Sequence, residues 1–126
     1  MAVVKVQKMA NDALIPVRGT IGAAGYDLFA YWVYDSITGN FRCDLPVVIY
    51  PNERVVIGTG IKMAIPVDYY GQIVPRSGLA AKYGIEIPNS PGTIDDDYRG
   101  EIKVILKNGG TNPFAVECGM KIAQII

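Results

Sequence analysis

The 126-residue sequence contains no histidine. A general base in this chain must therefore be a carboxylate, a tyrosine, a lysine or a cysteine. Cysteine is scarce: Cys43 and Cys118 are the only two. Two thiols without histidine partners cannot complete a tetrahedral zinc site. The expectation is two reduced, partly buried thiols in a reducing compartment rather than a disulfide. Excess positive charge is missing as well, with 12 Lys and Arg against 12 Asp and Glu. That balance excludes nucleic-acid binding driven by net charge, while a few placed cations still suffice for a polyphosphate. No apolar run approaches membrane-spanning length. The start, Met1-Ala2-Val3-Val4-Lys5, lacks the apolar stretch of a signal peptide. These absences predict a soluble, cytoplasmic protein with no membrane and no nucleic-acid partner. Helical periodicity, internal repeats and linkers are absent too.

What is present is half apolar and heavily punctuated, with 14 Gly and 8 Pro. The length suits one domain over 1–126 with a real core. Short Val-, Ile- and Tyr-rich runs lie between the punctuators, at 3–6, 47–50, 54–57, 61–65, 70–74, 102–106, 114–116 and 122–126. Many short strands separated by turn signals predict an all-β sandwich or barrel. One short helix is expected over 78–83, with Ser77 as its cap and Gly84 as its stop. Residues 35–40 read as the tip of a hairpin between 31–34 and 41–43. The last residues, 120–126, are apolar and predict that further chain or a neighbour covers them.

Gly92-Thr93-Ile94-Asp95-Asp96-Asp97-Tyr98-Arg99-Gly100-Glu101 crowds acids, an aromatic and a cation between two glycines. Such a turn is most often a solvated surface feature. Flanked by the strand-like 85–87 and 102–106, it reads instead as a hairpin tip displaying polar groups from a rigid base. Pro75-Arg76-Ser77-Gly78 leads into the helix and offers a fixed cation, a hydroxyl and backbone donors. It can hold a phosphate, or it can be a helix cap with a structurally paired arginine. It is neither a nucleotide P-loop nor a nucleophile elbow. Asp27 interrupts the apolar Ala24-Gly25-Tyr26-Asp27-Leu28. If buried it needs a cation, for which Arg76 is the candidate, and at a strand end it would face water. Gln124, in the apolar terminal strand, either donates to a phosphate oxygen or faces solvent.

In order and spacing, these segments resemble four of the five motifs of the trimeric deoxyuridine triphosphatase (dUTPase) family. They are Ala-Gly-Tyr-Asp-Leu, Pro-Arg-Ser-Gly-Leu-Ala, Gly-Thr-Ile-Asp-Asp-Asp-Tyr-Arg-Gly-Glu and Gly-Met-Lys-Ile-Ala-Gln. The resemblance runs from about Val3 to Ile126. It implies a jelly-roll-like β-barrel assembled as a homotrimer with shared active sites. The implied reaction hydrolyses dUTP to dUMP and pyrophosphate with Mg²⁺, which keeps uracil out of DNA and supplies dUMP. By the same resemblance Asp95 holds and deprotonates the attacking water, Tyr98 packs on the deoxyribose, and Asn89 helps read uracil. Arg76, Ser77, Gly78 and Gln124 contact phosphates. Asp27 pairs with Arg76 and orders waters near the metal, which the triphosphate itself largely ligates. Asp96 reads as a solvated turn residue and Asp97 as structural.

Two features depart from the pattern. The fifth motif, a glycine-rich arm with an arginine and a phenylalanine, has no counterpart before the sequence stops. Closing arms are mobile by nature, so the expectation is an arm outside this sequence rather than a truncated protein. Residues 31–45 are longer than the usual link and read as an inserted hairpin carrying Trp32, Tyr34 and Phe41. Such a hairpin either packs its aromatics on the barrel or contacts a partner protein. Two other functions compete with dUTP hydrolysis. A related dCTP deaminase would need a glutamate in the strand after the third motif, where apolar Ile105 stands. A non-catalytic dUTP-binding or protein-interaction module would use the hairpin as its contact surface.

Overall fold

The computed structural model describes residues 3–35 and 38–126, and among these the chain is built almost wholly from strands. They are β1 (Lys5–Lys8), β2 (Tyr26–Phe29), β3 (Trp32–Tyr34), β4 (Arg42–Asp44), β5 (Val47–Ile49), β6 (Arg54–Ala64), β7 (Gly71–Val74), β8 (Ile85–Glu86), β9 (Gly92–Ile94), β10 (Glu101–Asn108), β11 (Phe114–Val116) and β12 (Lys121–Ile125). A single helix, α1 (Ser77–Tyr83), interrupts them. The largest sheet runs β4-β3-β6-β10-β8, and β1 also pairs with β6. A second sheet runs β2-β12-β7-β9, and β5 with β11 makes a third. Among the described residues no ladder joins the sheet edges, so the arrangement is jelly-roll-like and all-β without closing.

Alternation builds the core. Along β10, Ile102, Val104 and Leu106 are buried while Lys103 is exposed, the period-2 pattern of a strand with one face inward. Leu28, Ile49, Ile57, Ile61 and Ile122 join them in one cluster of essentially inaccessible side chains. Each such side chain contributes about 1.5–3 kcal/mol on removal from water.

Several expectations are corrected. The runs 54–57 and 61–65 are one 11-residue strand, β6. Gly58, Thr59 and Gly60 do not break it, because neighbouring side chains fill the space that the glycines leave. The flanks of the Gly92–Glu101 segment do pair, as β8 with the end of β10, but the segment is not a simple hairpin tip between them. β9 pairs with β7 in one sheet, β10 pairs with β6 and β8 in another, and 95–100 crosses between them. Ser77 does not cap the helix. Arg76 is the N-cap, in extended conformation and without a side-chain cap bond, because its carbonyl already accepts the Ala80 N–H. Cys43 and Cys118 are exposed rather than partly buried.

Other readings hold. Gly84 ends the helix in the left-handed conformation, φ 71°. β3 and β4 form the expected hairpin. Its tip is organised by Asp35, which accepts from the Thr38 and Phe41 N–H groups at 2.7 and 2.8 Å, while positions 36 and 37 lie outside the described residues. No helix among the described residues is long and apolar enough to cross a membrane.

Candidate functional site

Strand β7 organises the site, because the motif residues gather at its two ends. At the end that leads into α1, Gln124 on β12 stands opposite both Asp27 on β2 and Val74 on β7. Residues directly opposite in a ladder share a face, and Arg76 follows Val74 by two, so all four belong to one face. Asp27 is 4% exposed, and its Oδ1 lies 3.3 Å from Arg76 Nε. The predicted pair is therefore present. The two atoms face each other at contact distance without hydrogen-bond alignment, and each lacks a hydrogen-bond partner within the chain. Lys121 Nζ approaches the other oxygen of Asp27, 3.7 Å away. Sequence reasoning gave Lys121 no role, although it lies within the quoted fourth motif. Ser77 and Gly78 are exposed at the helix start, and a Cβ at Gly78 would meet only open space.

At the opposite end, Gly71 pairs with Ile94 and Asp95 begins the crossing to β10. The Asp95 carbonyl accepts the Tyr98 N–H at 3.1 Å and closes a turn. Tyr98 folds back so that its hydroxyl donates to the Glu101 carbonyl at 2.7 Å. Gly100 makes room for that ring, since a Cβ there would sit 2.7 Å from the Tyr98 hydroxyl. The Asp95 side chain is exposed, and among the described residues it makes no hydrogen bond or ion pair. Asn89 is exposed beside Gly92, with its amide nitrogen 3.2 Å from where a Gly92 Cβ would lie. Asp96 and Asp97 take no side-chain bond, and the Asp96 carbonyl accepts from Arg99 at 2.6 Å.

The structure thus brings together Asp27, Arg76 and Gln124, and separately Asn89, Asp95 and Tyr98. Five residues from Gly71 to Arg76 in extended chain put roughly 17 Å between the groups. An apolar cavity of about 430 Å³, lined by Val4, Ile15, Tyr26, Tyr70, Ile125 and other apolar residues, includes none of the six. No cluster of three or more Cys, Asp or Glu among the described residues could hold a metal unaided.

The site is thus an exposed acid turn and a separate cationic cluster carried on an unclosed, jelly-roll-like all-β scaffold. The dUTPase family model matches residues 40–126. The deoxyuridine 5'-triphosphate nucleotidohydrolase of Hydrogenobaculum sp. (strain Y04AAS1) is 48% identical over 121 residues, 96% of this chain and 76% of its own length. That of Rickettsia akari (strain Hartford) is 48% identical over 124 residues, 98% of this chain and 76% of its own. In fold, a variant of the dUTPase from phage phi11 of S. aureus superposes with a TM-score of 0.80 at 24% identity, covering 98% of this chain and 88% of its own. The chain belongs to the dUTPase family, and its activity is that of a dUTP diphosphatase. Of the three functions weighed from the sequence, the comparisons support this one.

Proposed function

We propose that Asp95 is the general base of this dUTP diphosphatase. Its carboxylate would accept a proton from a water as that water attacks the α-phosphorus in line. The new P–O bond forms as the bond from the α-phosphorus to the β-phosphate oxygen breaks, giving dUMP and pyrophosphate. The observation that carries this reading is the exposed Asp95 side chain, free of bonds and held by a turn whose backbone is fixed. In a chain without histidine, an unencumbered carboxylate is the natural acceptor.

Tyr98 would pack on the deoxyribose, leaving no room for a 2′-hydroxyl, and Asn89 would help read uracil. Arg76, Ser77, Gly78 and Gln124 would bind the phosphates. The open space at Gly78 supports a close approach by something outside the chain. The Asp27 oxygen that faces Arg76 without a hydrogen bond fits an acid that orients water near a metal. Mg²⁺ bound with the triphosphate would supply neutralisation of charge on the departing pyrophosphate. The missing three-acid cluster is compatible with a metal held chiefly by substrate oxygens. The phage phi11 enzyme has a structural Mg(II) ion and the phage 80alpha enzyme forms complexes with dUpNHpp; both belong to those proteins, and the second agrees with a nucleotide site.

Because the two groups lie at opposite ends of β7, one chain does not complete a site. We infer a homotrimer in which Asn89, Asp95 and Tyr98 of one copy face Asp27, Arg76 and Gln124 of the next. The apolar cavity and the exposed Val4, Tyr70 and Ile126 around it support burial against neighbouring copies. Residues 1–126 are taken as one domain. The test follows pyrophosphate release from dUTP and UTP with Mg²⁺. Asp95→Asn should lower kcat by about 10²–10⁴-fold while dUTP binding persists. Normal turnover by that variant would remove Asp95 from the role.

A further inference from the structure

Glu101 is the most heavily bonded side chain near the site, and nothing in the reaction scheme uses it. It ends the crossing that begins at Asp95, and it is 5% exposed. A buried carboxylate is costly unless its oxygens are satisfied. Among the described residues no cation forms an ion pair with it. Three donors converge on it instead. The Trp32 indole N–H donates to Oε2 at 2.7 Å, the Gly60 backbone N–H donates to the same oxygen at 2.9 Å, and the Tyr34 hydroxyl donates to Oε1.

Two of these donors come from the inserted hairpin. Trp32 lies opposite Gly58 on β6, and Lys103 of β10 lies opposite Gly58 on the other side. To reach Glu101, the indole crosses over Gly58. A Cβ there would sit 2.3 Å from both Trp32 Nε1 and Glu101 Oε2. The glycine inside a long strand is thus the lane through which β3 grips β10. The grip is itself braced. The Arg42 guanidinium lies 3.9 Å over the Trp32 ring, Lys103 Nζ lies 4.2 Å over the Tyr34 ring, and Tyr31 meets Trp32 edge-on at 4.8 Å. Burial and the bond to Glu101 hold the Tyr34 hydroxyl up to about 12, so it remains a donor throughout the neutral range.

The same residue then touches the site through its backbone, because the Glu101 carbonyl accepts the Tyr98 hydroxyl at 2.7 Å. We propose that Trp32 and Tyr34 are positioning residues for dUTP hydrolysis, acting through Glu101 to set the Tyr98 ring that selects deoxyribose. The inference rests on the assignment of Tyr98 made above. A hairpin that looks like a surface decoration is, on this account, part of the substrate-selection apparatus. Phe41, on the same hairpin but 73% exposed, is not.

The test compares kcat/KM for dUTP and UTP in Trp32→Phe, Tyr34→Phe and the double variant, at a temperature where circular dichroism shows all of them folded. Tyr34→Phe keeps the ring and removes only a donor, whereas Trp32→Phe removes a donor together with the part of the indole packed over Gly58. The expected result is a fall of about ten-fold in the dUTP-over-UTP ratio for the double variant, below the roughly 10²-fold that a full 1 Å misplacement can cost. A merely structural hairpin would lower stability without moving the ratio. Phe41→Ala should leave the ratio unchanged. Tyr98→Ala tests the underlying assignment separately, and should itself weaken the ratio. If Tyr98→Ala loses selectivity while the double variant keeps it, the positioning role is overturned and the Tyr98 assignment stands. If Tyr98→Ala retains selectivity, the assignment fails and the positioning role falls with it. Equal loss in Phe41→Ala would also overturn the proposal.

Discussion

Two chains that are each defective should repair one another when mixed. Asp95 and Arg76 sit at opposite ends of β7, roughly 17 Å apart at about 3.3 Å per extended residue. Arg76 is also engaged with buried Asp27, so it cannot swing toward its own Asp95 without abandoning that acid. One variant, Asp95→Asn, loses the proposed base. The other, Arg76→Gln, loses the cation but keeps an amide donor near Asp27, with Lys121 still 3.7 Å from that carboxylate. In the proposed three-fold ring each site would draw Asp95 from one copy and Arg76 from the next. With equal, random mixing, half the sites carry an intact Asp95. Half of those face an intact Arg76, so about one quarter of wild-type activity should return. Activity should follow the product of the two chain fractions and peak at equal amounts. The assay is pyrophosphate release from dUTP after co-refolding across a series of ratios. If activity stays at the level of the separate variants at every ratio, although mixed oligomers are shown to form, the shared-site arrangement is wrong.

Other consequences are direct. Gly84→Ala places a methyl in the left-handed region at φ 71° and 2.8 Å from the Gly110 backbone nitrogen. Urea denaturation should show a loss of about 1–3 kcal/mol, with activity per folded molecule retained. Tyr31 and Tyr34 are both raised from 10 to about 12, the first chiefly by its bond to Asp12 and the second chiefly by burial. A phenolate fraction should therefore appear only near pH 12 in absorbance titration, and denaturation should abolish that late step. The sign follows from linkage. Above pH 10 the unfolded chain releases protons that the folded chain keeps, so this contribution is full below pH 10 and is lost between pH 10 and 12. Tyr34→Phe should flatten the fall in stability across that interval.

The fold class was legible because short apolar runs between glycine and proline can scarcely form anything but strands. Which strands pair across long separations was not, although the local β3–β4 hairpin was. A local reading joins 85–87 to 102–106 as a hairpin, and β8 does pair with the end of β10, but the segment between them holds a further strand, β9, that pairs elsewhere. In the structure Ile94 finds Gly71, while Glu101 finds Lys62, each more than twenty positions away. Local periodicity carries no signal for such pairing, since every half-buried strand shows the same alternation. The error matters for function. A hairpin tip would place Asp95 on a free projection, whereas a crossing between two sheets anchors it at both ends.

The site residues themselves were read from motif order, and that reading brought Asp27 to Arg76 as the structure has it. The grip on Glu101 escaped notice for a different reason. Its three donors come from β3 and β6, and its effect needs an absent side chain at Gly58. A glycine inside a β-branched run looks like a weak point of the strand, as Gly58 did between 54–57 and 61–65. A trace of the arrangement was present. Trp32 and Tyr34 are two apart and so share a face, and Glu101 stands immediately before a run whose alternate members are apolar. Alternation sets Glu101 with exposed Lys103 rather than with buried Ile102 and Val104, and the register shift between Glu101 and Lys103 that carries it inward leaves no mark in the pattern. Two hydrogen-bonding aromatics on one face of an inserted hairpin are donors in search of an acceptor. Joining them to Glu101 requires knowing that β3 and β10 flank the same strand, which is the non-local information that an alternating sequence withholds.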